Sequence, residues 1–139
     1  MMNIEVLKNL VDYGVISLLV GMSFIAVMFF IERILFYKKL DVKKYESKKR
    51  LEVALTKNLT FIGTIASNSP YIGLLGTVLA IMLTFMTMSE GDIEATKIMA
   101  SLALALKATA IGLVVAIISM IFYNILSRYA EVLESSYED

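Results

Sequence analysis

The sequence predicts an all-α integral membrane protein with three transmembrane helices. Hydrophobic residues make up 58% of the 139-residue chain and charged residues only 19%, whereas soluble domains are about 45–50% apolar. Three apolar runs are long enough to cross a bilayer, whose hydrocarbon core needs about 20 helical residues. A soluble three-helix bundle is the competing interpretation, but each of its helices would show a polar face, and these runs show none.

The composition also excludes several classes of function. Cysteine and histidine are both absent, so a disulfide framework, a thiolate nucleophile and a Cys-based metal site are impossible. A chain of 139 residues that is mostly apolar leaves no room for a separate catalytic domain. We therefore expect no enzyme activity, no metal, no cofactor and no nucleic-acid partner.

The charge-free runs set the segment boundaries. The runs 13–31 and 58–89 contain no charge, and Lys107 is the only charge in 98–127. The predicted segments are an outer-surface amphipathic segment (1–12), transmembrane helix 1 (13–31), a basic cytoplasmic segment (32–60), transmembrane helix 2 (61–89), an outer loop (90–97), transmembrane helix 3 (98–127) and a cytoplasmic tail (128–139). We expect helices 2 and 3 to extend into the cytoplasm, because their helical patterns continue past the length that a bilayer requires.

The lysines and arginines predict the orientation. Nine of them lie in residues 32–57, against one before the first span and one in the outer loop. By the positive-inside rule this basic segment is cytoplasmic, which places the N-terminus outside and the C-terminus inside. The same lysines could form a patch for lipid headgroups, but we favour a topology signal on a solvated helical face. We expect no cleaved signal peptide, because the start lacks a basic region and a small-residue cleavage site.

Small and polar residues form one stripe on each of the last two spans. The second span carries Gly73, Thr77, Ala80 and Thr84, with Gly76 beside them; the third carries Ser101, Ala105, Ala108, Thr109, Gly112, Ala116 and Ser119. Such stripes let membrane helices approach closely, because lipid gives no hydrophobic drive for their association. Two interpretations stay open: plain packing, with each hydroxyl bonded to its own helix, or a polar path lined by Thr77, Thr84, Thr109 and Ser119.

A polar path would need other proteins. Three helices cannot enclose a pore and also cover two small-residue faces, so we expect a homo-oligomer. Intramembrane proton relays use ionisable side chains, and the three predicted spans contain no Asp or Glu. The relay carboxylate would therefore come from a partner.

Lys107 is the one intramembrane charge. It lies about nine residues inside the third span, and a lysine at that depth costs roughly 2.5–3.5 kcal/mol. It is also about 200° from Thr109 around the helix, so it does not share the small stripe. Three interpretations stay open: snorkelling or neutral burial, an ion pair with a neighbouring helix, and a direct role in conduction.

Two ordered motifs carry a resemblance to a known family. "GLLGTVLAIM" (73–82) follows Pro70 at the start of the second span, and "ALKATAIGLVVAI" (105–117) is followed by "YN" (123–124). Over residues 69–124 the chain resembles the ExbB/TolQ family of inner-membrane proton-channel proteins, with MotA a more distant relative, and it looks most like a short ExbB. The resemblance implies a pentamer around single-span ExbD-like helices, which couples the proton gradient to work at the outer membrane through a TonB-like protein.

The resemblance also implies roles for individual residues. Thr77 and Thr109 match the threonines that face the partner's membrane aspartate along the proton path. Gly73, Gly76, Gly112 and Ala116 match close-packing positions. The chain departs from the family pattern at Leu104, where a glutamate is common, at Lys107, where an apolar residue is usual, and at Ser119, where a proline is common.

The expected function is therefore that of a proton-channel subunit in the bacterial inner membrane, of the ExbB type. A TolQ-like envelope subunit and a flagellar stator relative are the alternatives within the family. An alternative of a different class is a membrane scaffold that conducts nothing; it predicts that Thr77→Val and Thr109→Val leave activity intact while the assembly survives.

Overall fold

The computed structural model describes residues 4–91 and 94–137, and they form a bundle of α-helices with no strand among them. The elements in order are α1 (Ile4–Lys39), a 3₁₀ turn (Val42–Lys44), α2 (Lys48–Thr56), α3 (Leu59–Glu90) and α4 (Ala95–Ser135). Three of these helices, α1, α3 and α4, are long and apolar enough to cross a membrane. The predicted all-α fold with three candidate spans is confirmed.

The start of the chain differs from the expectation. α1 is one continuous helix from Ile4, so residues 4–12 are its first turns and not a separate helix lying on the surface. The physical reason is that no proline interrupts this stretch, while the glycine at position 14 costs a helix only about 1 kcal/mol relative to alanine. Residues 1–3 of that predicted segment lie outside the described residues, as do 92–93 of the predicted outer loop and 138–139 of the predicted tail.

The other two long helices also continue past the predicted spans. α3 begins at Leu59, two residues before the predicted second span, and α4 continues to Ser135, eight residues past the predicted third. The basic segment 32–60 folds into the end of α1, the 3₁₀ turn, α2 and the first residues of α3. The side of the membrane on which these extensions lie stays a prediction from the lysines and arginines.

α3 and α4 form an antiparallel hairpin that makes the centre of the bundle. In the most apolar 18-residue stretch of α3, and likewise of α4, 33% of the residues are buried inside the bundle. In the corresponding stretch of α1 only 11% are buried. α1 packs along the hairpin through one narrow stripe, in which the buried residues Leu19, Ala26 and Arg33 recur every seven positions. That spacing keeps them on one side of the helix, so α1 is the peripheral helix of the subunit.

A buried arginine joins α1 to the short helix α2. Arg33 is only 3% exposed; its Nε lies 2.8 Å from Glu32 Oε2, and its Nη1 donates to the carbonyl of Ala54 at 2.7 Å. Asn58 donates through Nδ2 to Glu32 Oε1 at 3.0 Å from a left-handed backbone conformation (φ 70°), which asparagine tolerates well. We call Glu32, Arg33, Asn58 and the Ala54 carbonyl the Arg33 cluster.

An apolar core lies beside the Arg33 cluster. Tyr37 is buried and donates its hydroxyl to the carbonyl of Leu55, while its ring lies 5.1 Å from that of Tyr129 on α4. Around it pack the buried residues Leu51, Leu55, Leu59, Ile62, Leu126 and Ala130. This end of the bundle is therefore a small globular core that all four helices share.

We expect Arg33→Met to lower the free energy of unfolding by about 1.5–3 kcal/mol, because it removes the hydrogen bonds of a charged group, leaves the Ala54 carbonyl without its donor and leaves Glu32 with Asn58 as its remaining partner. The measurement is the thermal unfolding midpoint of the detergent-solubilised protein. Arg128→Met is the matched control: Arg128 and Glu131 lie 3.6 Å apart with side chains 75% and 71% exposed, and such surface pairs contribute about 0–1 kcal/mol. Equal midpoints for the two variants would show that the Arg33 cluster does not hold α2.

Candidate functional site

The two small-residue stripes meet face to face, and at one point the backbones of α3 and α4 touch. A Cβ atom placed on Gly73 would lie 2.5 Å from the carbonyl oxygen of Ala108 and 3.2 Å from the Cα of Gly112. A Cβ on Gly112 would lie 2.5 Å from the carbonyl oxygen of Ser69. Since real Cβ atoms do not approach backbone atoms so closely, only glycine fits at either position.

The remaining small residues extend this contact. A Cβ on Gly76 would lie 2.9 Å from Val15 Cγ1 and 3.2 Å from the Cβ of Ala108, so α1 also reaches the hairpin here. The other residues predicted for close packing, Ala80, Ala105 and Ala116, are all buried. Small side chains thus bring three helices together at the level of Gly76.

Thr77 and Thr109 lie together in the same contact. The Thr77 hydroxyl is 2.8 Å from the carbonyl oxygen of Ala105 on α4 and 3.3 Å from the carbonyl oxygen of Gly73 on its own helix. It is also hydrogen-bonded to the hydroxyl of Thr109, which lies 3.5 Å from the Gly73 carbonyl oxygen. Thr77 is buried and Thr109 half-buried, so Thr109 is the member of the pair that a neighbouring molecule can approach.

The hydrogen bonds of Thr77 and Thr109 leave one acceptor position open. Each hydroxyl has one proton to donate and lone pairs to accept. When Thr109 donates to Thr77 and Thr77 donates to the Ala105 carbonyl, the oxygen of Thr109 keeps a lone pair for an outside donor. We call Thr77, Thr109 and the carbonyls of Gly73 and Ala105 the hydroxyl cluster.

The other two residues predicted for a polar path lie away from the hydroxyl cluster. Thr84 is buried and donates to the carbonyl of Ala80 at 2.9 Å; it lies seven residues from Thr77, about 10 Å along the helix. Ser119 is 1% exposed and lies ten residues from Thr109, about 15 Å along α4. One subunit therefore brings together two of the four predicted path residues.

Lys107 lies on another face of α4. It is exposed and shares its side of the helix with Leu104 (58% exposed) and Val114 (55% exposed). It is 12 residues past Ala95, about 18 Å along the helix, farther than its side chain reaches. None of the carboxylates whose side chains the structure describes forms an ion pair with it.

Sequence reasoning missed two features. One is the burial of Arg33, whose only sequence signal is a charged pair at the end of a span. The other is a cavity of about 420 Å³ where α3 ends and α4 begins, next to the first turns of α1. Its polar lining is Glu5, Lys8, Thr84, Thr87, Lys97 and Ser101. This cavity exists because α1 continues to Ile4, which the sequence pattern did not predict.

Comparison with known proteins identifies relatives over most of the chain. Residues 27–139 match the MotA/TolQ/ExbB proton channel family. The chain is 54% identical over 125 residues to the biopolymer transport protein ExbB of Aquifex aeolicus, covering 89% of this chain and 84% of that protein. It is 49% identical over 133 residues to the putative biopolymer transport protein ExbB-like 2 of Helicobacter pylori, covering 95% and 89%. A match to the Tol-Pal system protein TolQ of Haemophilus influenzae, 46% identical over 86 residues, covers 60% of this chain and 37% of that protein.

We expect Gly112→Ala to lower the free energy of unfolding by about 1–3 kcal/mol, because the added methyl group must push α3 and α4 apart. Gly21→Ala is the control, since nothing lies within 4 Å of a Cβ at that position and alanine favours the helix by up to about 1 kcal/mol. Thermal unfolding in detergent measures both. A Gly112→Ala variant as stable as Gly21→Ala would contradict the backbone contact.

Proposed function

The chain belongs to the MotA/TolQ/ExbB proton channel family, and we propose that it is the channel-forming subunit of an ExbB–ExbD type motor, which uses the proton motive force to energise TonB-dependent transport at the outer membrane. It is an inner-membrane subunit of the ExbB/TolQ type. The observation that carries the finer proposal is the hydroxyl cluster, which lies within the matched residues and is held by a contact that only glycine permits.

The proposal requires a partner with a carboxylate. Threonine hydroxyls can both donate and accept hydrogen bonds, but intramembrane proton relays depend on ionisable groups. The predicted spans of this chain have no Asp or Glu. We propose that a single-span ExbD-like protein brings a membrane aspartate to the half-buried side of Thr109. The Thr109 oxygen then accepts a hydrogen bond from the protonated carboxyl group, and Thr77 fixes the orientation of that oxygen from behind.

The proposal also requires several copies of the chain. In the described part of one subunit, α3 and α4 pack backbone to backbone at Gly73 and Gly112, which leaves no room for a pore between these two helices. A path for protons must therefore lie between subunits or between subunits and the partner. We propose the pentamer that the family resemblance implies, with the partner helix inside it. A TonB-like protein then couples this complex to transport at the outer membrane.

The TolQ match favours one second candidate, a TolQ-like subunit of an envelope-maintaining complex. The match to ExbB covers more of both chains, 89% and 84%, against 60% and 37% for TolQ. Loss of TonB-dependent uptake on deletion of the gene would support the ExbB assignment, and an envelope defect with normal uptake would support the TolQ assignment.

The experiment co-expresses the chain with an ExbD-like protein, measures the native mass of the purified complex and then its proton flux in liposomes. We expect a pentamer that retains the partner. Thr77→Val and Thr109→Val should each lower the flux by about tenfold or more, since each removes at least the hydrogen bond between the two hydroxyls, worth roughly 1–1.5 kcal/mol.

Two controls make this experiment decisive. Thr109→Ser keeps the hydroxyl and should keep most of the flux, while Thr87→Val removes a hydroxyl that is bonded to its own helix at Leu83 and should leave the flux unchanged. A pentamer with its partner and full flux in both valine variants would support a non-conducting scaffold. A monomer or dimer that retains no partner would contradict the proposed function.

A further inference from the structure

An open groove of about 830 Å³ lies where α1 ends, between the last two turns of α1, the 3₁₀ turn and α2. It begins at Glu32, the first charged residue after the charge-free run 13–31. The groove therefore begins where the hydrocarbon core of the bilayer is expected to end. Nothing in the proposed channel function uses it.

The groove carries an excess of positive charge. Its charged residues are Glu32, Arg33, Lys39, Asp41, Lys44 and Lys57, so cations outnumber carboxylates four to two. The residues come from three separate parts of the chain: the end of α1, the 3₁₀ turn with its cap, and the turn between α2 and α3. The fold thus brings together lysines that are separated in the sequence, where they appear only as an excess of basic residues in 32–57.

The two carboxylates in the groove already have partners. Glu32 is paired with Arg33 and accepts a hydrogen bond from Asn58. Asp41 caps the 3₁₀ turn by accepting from the backbone N–H of Lys43 at 3.1 Å. In contrast, the side chains of Lys39, Lys44 and Lys57 are exposed, and none makes an ion pair or a side-chain hydrogen bond with the described residues. The unpaired charge of the groove is therefore cationic.

The groove also has apolar lining residues. Leu35 is 52% exposed, and Phe36 and Leu40 lie along the same groove. The Arg33 guanidinium lies 4.2 Å from the centre of the Phe36 ring, which holds that ring in place. Unpaired lysines beside an apolar wall at the membrane boundary match the chemistry of a lipid, since a lysine stem can run along apolar surface while its ammonium meets a headgroup.

We propose that this groove binds the phosphate group of an anionic phospholipid from the leaflet on the basic side of the membrane. Lys39 and Lys44 contact the phosphate from α1 and the 3₁₀ turn, and Lys57 contacts it from the far side of the groove. The glycerol and upper acyl region lie along Leu35 and Phe36. Because α1, the 3₁₀ turn, α2 and the turn after α2 all contribute, the bound lipid also stabilises the arrangement of these elements.

A second copy of the chain is the competing occupant, because the end of α4 carries the acidic residues Glu131 and Glu134. The position of the groove favours the lipid: it opens beside Leu35, within about one helical turn of the end of the apolar run. A carboxylate of a soluble extension gains nothing from an apolar wall, whereas an acyl chain does. The experiment below distinguishes the two.

The test titrates the purified assembly with phosphatidylglycerol or phosphatidylcholine and counts bound lipids by native mass spectrometry. The variant Lys39→Gln/Lys44→Gln removes two charges that line the groove. Its matched control, Lys38→Gln/Lys43→Gln, removes the charge of the preceding residue in each case, and neither Lys38 nor Lys43 lines the groove. All four lysine side chains are exposed, so both variants are expected to fold.

We expect the groove variant to bind phosphatidylglycerol about 25-fold more weakly, because each of the two lysines near an anionic lipid contributes a factor of about five. The control variant should bind it like the unaltered chain, and phosphatidylcholine binding should not change in either. Soluble glycerol phosphate at the same concentration should not displace the lipid, because it cannot use the apolar wall.

Four results would overturn the proposal. An equal loss in both variants would show a diffuse electrostatic attraction without a site. No loss in either would show that the groove binds no anionic lipid. Displacement by glycerol phosphate would assign the groove to a free phosphate compound. Loss of oligomer mass in the groove variant, with lipid binding unchanged, would assign it to the acidic end of a second copy.

Discussion

The contact between Gly73 and Gly112 is the constraint on which the candidate site depends. Lipid tails are as apolar as leucine, so membrane helices gain association energy from close packing and not from leaving water. Here two glycines let the backbones touch. Thr77 lies four residues after Gly73, and Thr109 lies three before Gly112, so the same register brings the two hydroxyls together. A helix pair held apart by one methyl group would take Thr77 out of reach of the Ala105 carbonyl, which is now 2.8 Å away.

The two ends of the subunit are held by different chemistry. In the apolar middle, α1 packs on the hairpin through apolar contacts: Leu19 and Ala26 are buried with Ile65 and Val115, and Val15 lies against Gly76. At the basic end, Arg33 is buried with Glu32 and the Ala54 carbonyl as partners. The hydrogen bonds there are directional, and the Arg33 side chain that makes them is only 4% exposed, so they fix α2 against the end of α1. The same arrangement exposes the lysines of the groove, because Glu32 is occupied by Arg33 and Asn58 and cannot pair with them.

The sequence predicted the fold class and the three candidate spans because composition and run length determine them. Spacing also predicted which residues share a face, such as Gly73 with Thr77. Spacing could not predict how far one helix is rotated and shifted against another, so it could not show that Thr77 and Thr109 meet while Thr84 and Ser119 lie elsewhere. The burial of Arg33 was equally hidden, since it depends on α2, whose Ala54 is 21 residues away. The continuous start of α1 was missed because apolar periodicity shows a helix but not whether that helix bends.

α4 presents two faces with different chemical requirements. One carries Thr109 and Gly112 and is packed against α3, and the other carries Lys107 among exposed apolar residues. These faces are about 200° apart at 3.6 residues per turn, so a single added helix cannot contact both. A lysine facing lipid at this depth would cost roughly 2.5–3.5 kcal/mol, which a polar or charged neighbour removes. In the assembly that we propose, α4 is approached from two sides: one neighbour reaches the edge of the hydroxyl cluster, and another faces Lys107. The proposed ring of subunits around a central partner helix has this property, because each α4 then has both an inner neighbour and a lateral one.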